Sequence, residues 1–129
     1  MKLLRVGQKG QEKPAALDKD GKIRDISSHI SDLNPDHLNF EAISKLQNAD
    51  LSSLPEISSS ERIGSCITKP GKFIAIGLNF SDHAAETGAE VPSEPITFMK
   101  ATSCINGPND DIEIVTGSKK LDWEVELGI

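Results

Sequence analysis

The sequence predicts an α+β protein in two parts: a small N-terminal domain over residues 1–70 and a strand-dominated segment over residues 71–129. Three observations lead there. Short apolar runs alternate with turn signals along most of the chain, the pattern of strands joined by brief connections. One stretch, through Leu38, Ile43 and Leu46, recurs at roughly helical spacing instead. The character of the chain then changes at Lys69-Pro70-Gly71, a turn-forming sequence that opens the strand-rich second part.

The elements follow in order. Between Met1 and Gln8, Leu4 and Val6 alternate with Arg5, which predicts a short strand. Ala15–Leu17, then Asp18 to Gly21, then Lys22–Ile26 predicts strand, turn and strand, with Gly21 supplying the backbone freedom of the turn. Asn34-Pro35-Asp36 starts the helix that carries Leu38, Ile43 and Leu46. Leu51–Pro55 and Ser58–Ser60 form a polar connection, and Ser27 and Ser28 belong to a turn. In the second part, Phe73–Ile76 is a strand ending at Gly77. Asn79 or Ser81 caps a short helix through His83, Ala84, Ala85 and Glu86 to Gly88. Ile96–Lys100 alternates like a strand, and Asn106–Asp110 is a turn. Ile112 and Ile114 begin another strand, Gly117-Ser118 turns the chain, and Leu121–Ile129 is the last strand.

Composition narrows the function. A chain of 129 residues holds one domain, or a small domain with part of another. Its net charge of −6 and scattered lysines argue against nucleic acid as a partner. No apolar run approaches the ~20 residues that cross a bilayer, so no membrane partner is expected. The start lacks a signal-peptide core, which reads as cytoplasmic. The two cysteines, Cys66 and Cys104, have no C-x-x-C spacing and are expected as free, buried thiols. His29 and His37 have no carboxylate or cysteine at a metal spacing and read as structural or solvated residues.

The sharpest chemical feature is Asp122-Trp123-Glu124-Val125-Glu126-Leu127. On a strand, Trp123, Val125 and Leu127 would face a core. Asp122, Glu124 and Glu126 would share the other face, with carboxylates about 7 Å apart along the strand. That face is either an acidic solvent face or a seat for a hard cation, which prefers oxygen ligands and relieves the repulsion. His83 and Glu86 lie three apart on the short helix. They form either an exposed helical pair or a general base whose imidazole is oriented by the carboxylate. Lys100 reads either as a snorkelling surface residue or as a cation beside an anionic substrate.

Together, Gly77-Leu-Asn-Phe-Ser-Asp-His-Ala-Ala-Glu86, Pro95-Ile-Thr-Phe-Met-Lys100, Gly107-Pro108 and Asp122-Trp-Glu-Val-Glu-Leu-Gly128 stand in the order and spacing of a known family. The sequence resembles the fumarylacetoacetate hydrolase family. It is most similar to the bacterial branch labelled ureidoglycolate lyase, hydroxyheptadienedioate isomerase or diketo-acid hydrolase. Met1–Gly7 and Gly10–Pro14 also resemble that branch. The resemblance implies a small N-terminal domain and the start of a mixed β-roll catalytic domain. It places Glu124 and Glu126 on a Glu-x-Glu pair that, with a later aspartate, holds Mg²⁺ or Mn²⁺. His83 and Glu86 fall on the family's proton-moving dyad in a lid-like segment, Lys100 near the substrate, and Asp122 beside the metal pair as a support.

The activity so implied is hydrolysis or lysis of a C–C (or C–N) bond in a small anionic 2-oxo or diketo acid through a metal-stabilised enolate. Ureidoglycolate cleavage, isomerisation and decarboxylation stay open on the same scaffold. A homodimer is expected. Two departures qualify the match. Phe80 stands where the family commonly has tyrosine, and Ile129 falls within the metal-bearing region, so a truncated product is expected, with the third ligand and most of the roll lying further on. The chain alone is then expected to be a poor enzyme, and the rival reading is a non-catalytic binding or dimerisation module.

Overall fold

Four strands near the N-terminus make one antiparallel meander. The computed structural model describes residues 1–129 and places β1 (Lys2–Val6), β2 (Lys13–Leu17), β3 (Ile23–Asp25) and β4 (Glu56–Ile57) side by side in that order. Arg5 pairs with Pro14, Leu17 with Ile23 and Ile23 with Ile57. The β2–β3 turn closes as the sequence implies. Gly21 sits at φ +78°, and the Asp18 carboxylate accepts hydrogen bonds from the backbone N–H groups of Asp20 and Lys22 at 2.9 Å.

Period-2 alternation puts neighbouring residues of β2 on opposite faces, and both faces are covered. Ala16 joins Ile26, Ile30, Leu33 and Leu46 on one side, whereas Ala15 joins Val6 and Ile23 on the other. Helix α1 (Phe40–Gln47) supplies Leu46 to the first cluster. The expected helix start is corrected here. Asn34 instead holds a turn, its side-chain oxygen accepting from the backbone of Asp36 and His37, and Asn39 is the N-cap, accepting from Ala42 N–H at 2.9 Å. Strand β4 is too short to show a period in sequence. His29 and His37 are exposed, and His37 Nδ1 lies 2.9 Å from the Asn34 side-chain oxygen.

The second part is sparser. Strands β5 (Ile74–Gly77) and β6 (Ile96–Met99) pair antiparallel as a separate two-stranded sheet, with helix α2 (Ser81–Thr87) between them. These elements lie where the sequence placed them, but neither Asn79 nor Ser81 caps α2: its N-cap is Phe80, which makes no side-chain hydrogen bond. Two expected strands do not form: residues 111–115 and 119–129 are irregular. A strand exists through the N–H and C=O groups of a neighbour, and no backbone–backbone hydrogen bond joins either stretch to another strand. Trp123, Val125 and Leu127, expected against a core, are instead 83%, 84% and 80% exposed. The thiols of Cys66 and Cys104 are free as expected, but exposed rather than buried. No helix is long and apolar enough to cross a membrane.

Candidate functional site

Strand β5 and helix α2 position the first pair of candidate residues. The chain leaves Gly77 through Leu78, whose φ of +49° is a left-handed conformation that costs a bulky side chain about 1–2 kcal/mol. Helix α2 then carries His83 and Glu86, closed by Gly88 at φ +69°. Its one buried side chain is Ala84, which anchors the helix and leaves His83 and Glu86 exposed. No hydrogen bond joins the imidazole to the Glu86 carboxylate; the contacts of His83 are backbone ones, its N–H to the Asp82 carboxylate and its carbonyl to Thr87 Oγ1.

Two other candidates do meet. Lys100 follows β6, its backbone N–H bonded to the Phe73 carbonyl at 2.9 Å, and its ammonium donates to the Glu124 carboxylate. That hydrogen bond raises the Lys100 pKa above the ordinary lysine value, against the opposing effect of burial. In this structure the Lys100 ammonium thus pairs with a candidate metal ligand. Glu124 and Glu126 do not share a strand face, because Val125 between them sits at φ +53° and breaks the extended run. Glu126 and Asp122 are exposed.

The donor chemistry suits a hard cation, since carboxylate oxygens are what Mg²⁺ and Mn²⁺ prefer. The assembly is incomplete, however: no three His, Cys, Asp or Glu side chains gather into a group able to hold a metal ion. Sequence reading also missed Arg62, whose guanidinium reaches Glu12 and Asp110. Its partners lie 50 and 48 residues away, so no local spacing could signal it.

With that geometry in view, residues 72–129 match the family model described as the C-terminal part of fumarylacetoacetate hydrolase. Curated relatives share the whole chain. A Burkholderia ambifaria protein bearing a provisional hydrolase name is 57% identical over 129 residues, and one from Burkholderia lata is 56% identical. The chain spans 46% of the length of each. A crystal structure of a Mycobacterium smegmatis protein provisionally named HpcE superposes with a TM-score of 0.58 at 23% identity, over 88% of this chain and 41% of that one. Over residues 72–129 the chain is thus similar to the fumarylacetoacetate hydrolase family, and the Mycobacterium smegmatis structure shares its fold.

Proposed function

We propose that this chain forms the front half of a divalent-metal-dependent hydrolase or lyase that cleaves a C–C (or C–N) bond in a small anionic 2-oxo or diketo acid. The observation that carries this reading is the meeting of Lys100 with Glu124, which brings residues from two of the family motifs together across 24 positions of sequence. In a protein of the relatives' full length, Glu124 and Glu126 would hold Mg²⁺ or Mn²⁺ with a further carboxylate. The bound cation would supply positive charge to the substrate oxygens as they gain electron density. Lys100, once Glu124 turns to the cation, is free to pair with the substrate carboxylate. His83 moves the proton and Glu86 orients it. Ureidoglycolate lysis, isomerisation or decarboxylation would draw on the same residues. We propose the division at residue 70 as the boundary between a supporting and a catalytic domain, in a cytoplasmic homodimer.

The test is a pair of substitutions in the family-length protein, assayed on acylpyruvates, sugar-derived diketo acids and ureidoglycolate. Glu124→Gln should abolish Mg²⁺- or Mn²⁺-dependent turnover and weaken metal binding measured by calorimetry. His83→Ala should leave metal affinity in place while lowering turnover by roughly 10²- to 10⁴-fold. Full activity in Glu124→Gln would remove the site. Loss of metal binding in His83→Ala would mean the two roles are exchanged. A second reading, a non-catalytic binding or dimerisation module, is favoured by the exposed apolar side chains along residues 72–129. It predicts a family-length protein with no metal-dependent turnover on any of these acids.

A further inference from the structure

The segment after β4 is fixed to the edge of β1 by its backbone. Gly7 N–H donates to the Arg62 carbonyl at 2.9 Å, Gly64 N–H donates to the Arg5 carbonyl at 2.8 Å, and Val6 bridges Ile63. With its backbone held there, the Arg62 side chain is aimed. Its Nη1 donates to the Gly7 carbonyl at 3.0 Å and to Glu12 Oε1 at 2.8 Å. Its Nε and Nη2 grip both oxygens of Asp110, Nε at 2.7 Å. This fork is the geometry that distinguishes an arginine pair from a loose lysine contact.

The charges alternate further inward. Glu12 lies 3.6 Å from Arg5 Nη2, and Arg5 Nε donates to Asp32 at 2.7 Å. Exposed ion pairs contribute little, but here the side chains of Arg5 and Glu12 are 7% exposed and that of Asp110 15%. Hydrogen bonding from Arg62 holds the Asp110 carboxyl below the usual aspartate value.

A second observation is independent of charge. Gly107 opens the turn that ends at Asp110, each donating a hydrogen bond back to the other. A Cβ at Gly107 would lie 2.8 Å from the Ile63 carbonyl oxygen, closer than real side chains come. The turn is therefore pressed backbone to backbone against the same segment that Arg62 occupies. Every residue after Asp110 is exposed, so this is the last point at which the chain is seated on the N-terminal sheet.

We propose that Arg62 is a latch that seats the Gly107–Asp110 turn on the N-terminal sheet, so that the small domain fixes where the chain leaving β6 goes. The latch joins the two parts of the protein and needs no ligand. The experiment is amide hydrogen exchange on the intact protein carrying Asp110→Asn, Gly107→Ala, Arg62→Lys or Arg62→Met. Asp110→Asn and Gly107→Ala should each speed exchange across residues 105–111 roughly tenfold while the β1–β2 ladder keeps its protection. Arg62→Lys, which retains the charge but loses the fork, should fall between wild type and Arg62→Met. Unchanged exchange at residues 105–111 in Asp110→Asn overturns the latch. So does an equal rise throughout β1, β2 and the turn, which would make the cluster a general support. Should Arg62→Met fail to fold, Asp110→Asn and Gly107→Ala still decide.

Discussion

The two parts of this chain carry the same kind of apolar alternation and come to opposite ends. Of 14 buried residues, all but Ala84 lie at or before Gly64. Beyond it, Ile74, Ile96, Phe98, Val115, Trp123 and Leu127 all stand exposed. The difference is one of partners, not of composition. The N-terminal meander finds within its own sequence a neighbour for each inner strand and a helix for one face. Strands β5 and β6 find only each other, and a lone two-stranded hairpin is marginal in water. A period-2 pattern thus states which face wants burial and leaves open what will bury it.

The largest expected effect tests that contrast directly. Leu46 is 1% exposed and packs with Ile26, Ile30, Leu33 and Ala16. Leu46→Ala should cost about 2–5 kcal/mol through lost transfer energy and a residual cavity, read as a lower urea midpoint. In the same chain, Trp123→Ala should change stability by less than about 0.5 kcal/mol, although the side chain removed is larger. Equal costs for the two would show that Trp123 is buried after all and end the comparison.

Next is acid. Burial of Asp18 opposes its charge, but hydrogen bonds from Arg24, at 2.7 Å, and from the backbone of Lys22 and Asp20 prevail and lower its pKa from 3.8. A lowered folded pKa contributes stability that is complete above the unfolded value and lost as pH falls through the folded one. The β2–β3 turn should therefore weaken as pH falls below about 4, the ordinary aspartate range. Asp18→Asn should flatten that part of a urea-midpoint curve against pH. A variant with the wild-type acid slope would place the acid sensitivity elsewhere.

How much of this was legible varies with the range of the interaction. Strands β1 to β3, β5 and β6 and helix α2 could be read because alternation and turn residues act over a few positions. The start of α1 was misread because Asn34 and Asn39 are both good caps, and only packing of Leu46 into the core selects Asn39. The last strand was misread because strandedness belongs to a pair, and the backbone of Leu121–Ile129 has no hydrogen-bonded partner strand here. At the candidate site, Lys100 and Glu124 were both singled out, but their meeting was not foreseen, since it depends on how β6 and the terminal segment approach in space. Arg62 carried no local signal at all; a lone arginine becomes a latch only when β1 and a turn 48 residues later converge on it.

The smallest effect sharpens the contrast at the level of single helices. Asn39 is extended at φ −128° and ψ 170°, and its side chain accepts the Ala42 N–H, so α1 begins with one of its orphan donors satisfied. Phe80 occupies the same position on α2 with no side-chain bond, and no basic residue lies in that helix's last turn. Asn39→Ala should cost about 1 kcal/mol, because the Ala42 donor must turn to water while Leu46 stays packed. The converse change, Phe80→Asn, should stabilise α2 by at most a similar ~1 kcal/mol. It should show first as slower amide exchange at His83 and Ala84, with α1 unmoved. If Phe80→Asn leaves α2 as labile as before, the aromatic ring is holding the helix start by packing, and the second part of the molecule is better knit than its exposure suggests.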